Sequence, residues 1–479
     1  MRVPSWYRER NDRTLRYAGR VLQTDRRIVV RADARYASRY DGQVAALVAT
    51  NLLARMTPAL TLDIPDTEMV PPLPWAGLKL RDHLIATALA ADPWGSFEIR
   101  RQRVGDYVLS LGAVPSTATA HGSGWNAFVG RGASPLPDSD QFNPIGPALA
   151  AIVAIARLFA LEMTPMDGPY LFNAFNWQNE LIRDTGIPPL APVQHLGSVW
   201  AVGLGSVGTA VLYFLTLITS RFSAFLFDMD RVKIHNLDRS PVFAAADQNK
   251  SLYKVEATET YLRSVGLRSV SKESRALDES LVWFAREAGT PDLLISAANE
   301  RNVRYIIEQS APPLQIYGTT GANWEASVIR HIPLVDPCSC CLFPPDVPQA
   351  PTTCATDTVV QSDTGKSVDA SLPFLSFAAG LMAAAEVLKA GLPGYPFSPN
   401  RATLYTHVAT APRFVSPRLH RRQGCICGSR YSSVHRQMIA GTKYEALSTT
   451  SDSYVERCPR ASHLRGLTNP SDSGTPVFG

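Results

Sequence analysis

The chain has 479 residues, of which 45% are hydrophobic and 19% charged, a globular balance that excludes a disordered or fibrous protein. Net charge is only +5, and eight lysines among 47 basic residues leave the rest as arginine; so small an excess excludes a whole-chain polyanion binder, and no nucleic-acid partner is expected. All seven cysteines lie beyond residue 337, which points to a reducing, cytoplasmic setting and to metal or catalytic use rather than disulfides.

Residues 1–27 read as a charged lead with no apolar signal region. Residues 27–30 predict a strand start, 43–56 (QVAALVATNLLARM) a strongly apolar helix and 59–64 a strand. A further strand is predicted at 107–111 and a second apolar helix at 143–160. The Pro-rich stretch 187–193 reads as a linker.

A second series then begins. Residues 196–220 carry no charge, a run long enough to imitate a membrane span. Its glycines decide otherwise. Residues 198–202 predict a buried strand, 203–208 a tight turn and 209–219 a buried helix, so no membrane is expected. Strands follow at 224–227, 293–296, 316–319 and 326–332, with a helix at 253–264. Residues 333–369 are loop-like, and 378–390 form a long helix with few polar residues. Strands alternating with helices imply an α/β fold with an open parallel sheet and helices on both faces.

The two series follow one plan. Each opens with strand–helix–strand and closes with a small-residue helix entered through proline. Aligned without gaps, PIGPALAAIVAIARLF (144–159) and PFLSFAAGLMAAAEVL (373–388) share four identical positions. Three regions follow: 1–190, a first half without the glycine turn; 191–430, a second half with it; and 431–479, a polar tail.

Gly203, Gly205 and Gly208 fit G-x-G-x-x-G between a strand and a helix. Such a turn lets backbone approach a phosphate while the helix N-terminus offers free N–H groups. Asp228 ends the next strand, where a carboxylate can hold a ribose hydroxyl. Asp230, Asn236, Arg239 and Lys254 follow within one short stretch. Arg239 supplies a planar fork of donors and Lys254 a mobile point charge. Cations near the phosphates suit cleavage of ATP, where charge builds on the leaving pyrophosphate, better than hydride transfer.

In order and spacing, G-x-G-x-x-G, D-x-D-x-V, N-L-x-R and a K-V-E helix resemble the ThiF-type adenylating superfamily, which includes the ubiquitin-activating enzymes. The resemblance covers about 190–430 and implies two related Rossmann-like, ThiF-type halves, the first degenerate and the second active. It also implies ATP and Mg²⁺ as cofactors. Asp228 would hold the ribose, while Asn236, Arg239 and Lys254 would surround the phosphates. In the segment AANERNVR, Asn299 falls where the family has a magnesium-binding aspartate. Family members also reach an arginine from the companion N-terminal segment to the ATP; Arg16 or Arg20, in RYAGR, is the candidate.

Cys338 and Cys341 form a C-x-x-C pair, and Cys425 and Cys427 a C-x-C pair. Together they can supply four thiolates to a tetrahedral Zn²⁺ knuckle. Cys340 is surplus. Cys354, in the loop PTTCATD, stands where the family carries the thiol that attacks an acyl-adenylate. The reading is a ubiquitin-like-protein-activating enzyme of bacterial anti-phage conjugation systems. Its partners would be a ubiquitin-like protein with a C-terminal glycine and a conjugating enzyme. A sulfur-carrier-protein adenylyltransferase and a nucleotide-binding scaffold without turnover are the alternatives.

Overall fold

The computed structural model describes residues 3–448, apart from 20, 23–26, 104–105, 115, 117, 140, 161–167, 182–186, 276–288, 299–300, 322, 345–359, 362–366, 369–371, 408–409 and 429–431. The first sheet holds β1 (Ile28–Ala32), β2 (Ala59–Asp63), β3 (Ser96–Ile99), β4 (Tyr107–Leu111), β5 (Ala118–Ser123), β6 (Asn126–Gly130) and β7 (Tyr170–Asn173). The second holds β8 (Val193–Val202), β9 (Thr219–Phe227), β10 (Val270–Glu273), β11 (Leu293–Ser296), β12 (Gln315–Gly321) and β13 (Glu325–His331). β14 (Val360–Gln361) and β15 (Ser367–Val368) pair only with each other, and β16 (Arg401–Tyr405) and β17 (Arg413–Val415) complete the second sheet.

Strand order confirms that the halves share one plan. The first sheet runs β3-β2-β1-β4-β5-β6-β7, and the second runs β10-β9-β8-β11-β12-β13-β16-β17. Counting only each sheet's own strands, the first reads 3-2-1-4-5-6-7 and the second reads the same with an eighth strand, β17, added at the edge. The expected parallel sheet forms the body of each half, with antiparallel strands added along one edge. β5–β6 and β12–β13 are antiparallel, because connections this short cannot make the crossover that parallel pairing needs.

The helices are α1 (Val3–Arg10), α2 (Asp12–Ala18), α3 (Ala34–Ala37), α4 (Tyr40–Met56), α5 (Leu80–Ala91), α6 (Ile145–Ala160), α7 (Ser206–Thr216), α8 (Ala245–Asn249), α9 (Lys254–Ser264), α10 (Arg301–Ser310), α11 (Ser339–Leu342), α12 (Pro373–Ala390), α13 (Ser432–Ile439) and α14 (Glu445–Ser448). α6 leads from β6 to β7 and α12 from β13 to β16, so the two matching segments occupy equivalent places. These counterparts also touch each other; Phe159 of α6 lies 5.6 Å, ring to ring, from Phe374 of α12.

α4, α6, α7 and α12 form the inner layers between the sheets. All of α4, α6 and α12 is buried, which is why these helices lack a polar face. α7 and α12 approach so closely that a Cβ on Gly380 would lie 2.3 Å from the Ala210 Cβ. Among the described helices, α12 alone is long and apolar enough to cross a membrane, and it is wholly enclosed by the protein.

Local boundaries differ from expectation in several places. α7 starts at Ser206, three residues early, because Gly205 already serves as its N-cap. β8 starts at Val193 and takes in the end of the linker, since residues 193–202 pair along β9. The charged lead folds into α1 and α2. Its Arg10 is fully buried, pairs with Asp92 at 2.9 Å and lies over the Trp6 and Tyr7 rings. From the polar tail, α13 and α14 join the fold, with His435, Ile439 and Tyr444 buried.

In the first half, Tyr36 ties the segment after β1 to β5. β1 runs into α3, and Tyr36 turns inward, where its hydroxyl donates to Gly122 O at 3.0 Å and accepts from Gly122 N at 3.2 Å. The ring occupies the space beside Gly112, where an added Cβ would meet it at 3.1 Å.

Candidate active site

At the carboxyl ends of β8, β9, β11 and β12 lies a cavity of about 540 Å³, within the range of small-ligand sites. The glycine turn forms its floor. Gly203 has φ +81°, a left-handed conformation that a side chain would strain. A Cβ on Gly208 would strike Gly203 O at 2.0 Å, so the third glycine lets the helix pack on the turn. Gly205 faces open space in the cavity wall. α7 begins here with no side-chain cap and no acidic residue in its first turn, which leaves its N–H groups for an anion.

Asp228 braces this turn. Its carboxylate accepts from Leu204 N at 2.7 Å and from Asp230 N at 2.8 Å, and burial raises its pKa. Lone pairs remain for a further donor. Lys254, at the start of α9, donates to Asp230 at 2.6 Å and lies 3.6 Å from Asp228. Asp230 is held below the usual carboxylate range: burial opposes this, but the Lys254 hydrogen bond and charge outweigh it.

Asn236 and Arg239 lie in and just beyond the 3-10 turn Ile234–Asn236. The Asn236 carboxamide accepts from Lys233 N at 2.8 Å and shapes the turn. Arg239 bonds His235 O through Nη2 at 3.0 Å, and its Nε lies 2.8 Å from Asp238. Gly203, Gly205, Asp228, Asp230, Asn236, Arg239 and Lys254 all line the one cavity. Asn299 lies outside the described residues.

The first half reaches this site. Arg55 of α4 donates to Leu237 O at 2.8 Å and Pro241 O at 3.1 Å, and Asn51 also donates to Pro241 O at 3.1 Å. Thr14 of α2 donates to Asp238 at 3.1 Å. The N-terminal arginine on the cavity wall is Arg13. Arg16 instead pairs with Asp12 at 2.7 Å, one helical turn away along α2, and is not part of that wall; Arg20 lies outside the described residues. Sequence reasoning missed Arg13 because the phase of a charged helix cannot be fixed without its buried face. Thr14 and Tyr17, three residues apart on α2, mark that face through their bonds to Asp238 and Gly321 O. His235, Lys233, Thr319 and Thr320 also line the cavity and were not anticipated.

Cys338, Cys341, Cys425 and Cys427 converge with their sulfurs all within 4.8 Å. Sγ separations of 3.5 Å (338–425), 3.6 Å (341–427) and 3.9 Å (338–341) match the edges of about 3.8 Å that a tetrahedron with Zn–S bonds near 2.3 Å requires. The shorter C-x-C pair fits because residues 426–428 coil into a 3-10 turn that aims both sulfurs inward. Arg422 N donates to Cys341 Sγ at 3.4 Å. Cys340 is buried beside the cluster. Cys354 lies outside the described residues.

Residues 190–427 match the ThiF family. The chain carries a ThiF-family domain. That domain is of the adenylyltransferase type; its matched span holds the glycine turn, the cations at 239 and 254 and all four cluster cysteines. The chain is also similar to solved structures. E. coli MccB with ATP shares 19% identity at a TM-score of 0.38, covering 49% of this chain and 67% of that one. PaaA shares 19% at 0.34, covering 47% and 65%. No curated protein matches the chain.

Proposed function

We propose that the chain activates a ubiquitin-like protein by ATP-dependent adenylation of its C-terminal glycine. The observation that carries this reading is the convergence of the glycine turn, the uncapped α7 N-terminus, Arg13, Arg239 and Lys254 on one cavity. The turn and helix amides would cradle phosphate. The cations would stabilise charge that develops on departing pyrophosphate, at fixed positions and without reorganisation. The glycine carboxylate would attack the α-phosphorus, the bond to the bridging oxygen would break, and pyrophosphate would leave with its electrons. Magnesium, when bound with ATP, would neutralise phosphate charge.

Cys354 would then take the acyl group as a thioester, releasing AMP, and pass it to a conjugating enzyme. The glycine turn and cavity of the second half, with no G-x-G-x-x-G turn in the first, support a division into a supporting domain (1–190) and an active one (191–430). This two-halved plan resembles BilD, the activating enzyme of bacterial ubiquitin-like conjugation operons linked to phage defence, and we place the protein in the cytoplasm on that basis. The four thiols would hold one structural zinc. Asn299, an amide at the expected magnesium aspartate, favours a second reading, a nucleotide-binding scaffold without turnover. Pyrophosphate exchange separates the two: an enzyme exchanges label into ATP when its protein partner is present, and a scaffold does not.

A further inference from the structure

His235 is the one histidine on the cavity wall among the described residues. It is half-buried, in the 3-10 turn between Lys233 and Arg239. Its backbone carbonyl is taken by Arg239, whereas its ring makes no hydrogen bond to any described residue. We propose that His235 is a phosphate ligand that gains its proton when the nucleotide enters, so that ATP binding and proton uptake are coupled at this residue. The inference rests on the nucleotide reading of the cavity and adds to it the identity of one ligand and its charge state.

Several charges face the ring. Arg13 approaches from α2, Lys233 and Arg239 from its own loop, and Lys254 from α9; burial and these cations hold its pKa down to about 3. Asp230, across the cavity, is engaged by Lys254. Helix α1 also packs on this turn, with Arg10 neutralised by Asp92 and with Arg8 and Glu9 exposed. In this setting the imidazole is neutral near pH 7.

A neutral imidazole offers one donor and one acceptor, but a phosphate chain presents only acceptors. One ring nitrogen would thus face an anion with its lone pair. Protonation makes both nitrogens donors. It also becomes favourable at that moment, because the phosphates reverse the sign of the local field. One anionic oxygen about 4 Å away, at an effective dielectric of about 20, raises the pKa of the ring by about 3. Contact with two phosphates carries it into the neutral range.

The test is calorimetric titration of the full chain with the non-hydrolysable analogue α,β-methylene-ATP. It is run at pH 6 and pH 8 in pairs of buffers with different ionisation enthalpies, for wild type, His235→Gln and His235→Asn. At pH 6, wild type should take up about half a proton to one proton more per bound nucleotide than either variant. Both variants should bind about tenfold more weakly at pH 6 and show a smaller deficit at pH 8. Comparison with the variants cancels protons exchanged by the analogue's own phosphates. Equal proton uptake in all three proteins, with binding retained, overturns the inference while leaving the nucleotide reading intact. Absence of analogue binding in wild type overturns both.

Discussion

Thr14 of α2 donates a hydrogen bond of 3.1 Å to Asp238, and Asp238 lies 2.8 Å from Arg239 Nε. A residue from the first 27 thus orients, through one buried carboxylate, an arginine on the cavity wall. Hydrogen bonds to charged groups contribute about 1.5–3 kcal/mol each. Thr14→Val should therefore weaken nucleotide turnover more than it weakens folding. Steady-state kinetics beside thermal denaturation checks this; equal losses in both would make the contact merely structural.

Arg13→Ala should lower adenylation by about 2 kcal/mol of transition-state stabilisation, while Arg16→Ala should have no comparable effect, because Arg16 pairs with Asp12. Parallel exchange assays on the two variants decide between the neighbours.

The Cys338–Cys341–Cys425–Cys427 cluster joins segments 87 residues apart at its 338–425 edge. Purified protein should contain about one zinc per chain. Cys341→Ser or strong chelation should release it and lower the melting temperature. Elemental analysis with a thermal melt checks both; a metal-free protein with an unchanged melt would remove the zinc assignment.

Acid should destabilise the first half through His121. This ring is 1% exposed, with neither nitrogen hydrogen-bonded to a described residue, and burial lowers its pKa to about 4. The unfolded side chain titrates near 6.5, so between these values the unfolded chain binds the extra proton. Stability then falls as pH drops from about 6.5 toward 4, by about 2 kcal/mol at pH 5. Urea melts at pH 7.5 and pH 5 should show a smaller loss for His121→Gln than for wild type.

The sequence is legible where a residue type has few uses. Gly203 and Gly208 announced a turn because backbone geometry there excludes side chains. The paired cysteines announced a cluster because their spacing suits a tetrahedron. The repeated helix at 144–159 and 373–388 foretold that both sheets share one strand order. What escaped depends on tertiary context. Arg13 and Arg16 are the same residue type on one short helix, and only the packing of Thr14 and Tyr17 selects between them. The antiparallel direction of β13 escaped, although its strand was expected, because a hydrophobic run looks the same in either direction. Tyr36 gave no sign in the sequence that its hydroxyl would bond both backbone groups of Gly122.

Cys354→Ala should abolish a thiol-reducible conjugate with the ubiquitin-like partner and leave adenylation intact, since the thiol acts only after the adenylate forms. Non-reducing gels read this directly; a conjugate that persists would assign the acceptor to Cys340 or Cys458.

The most direct measurement is ATP–pyrophosphate exchange by the full chain, with and without a ubiquitin-like protein ending in glycine and encoded beside it. The account predicts exchange that requires that partner, is lost when its terminal glycine is removed, and falls by about 2–4 kcal/mol of transition-state stabilisation in Arg239→Ala. Tight ATP binding with no exchange in the partner's presence would contradict it and leave a nucleotide-binding scaffold.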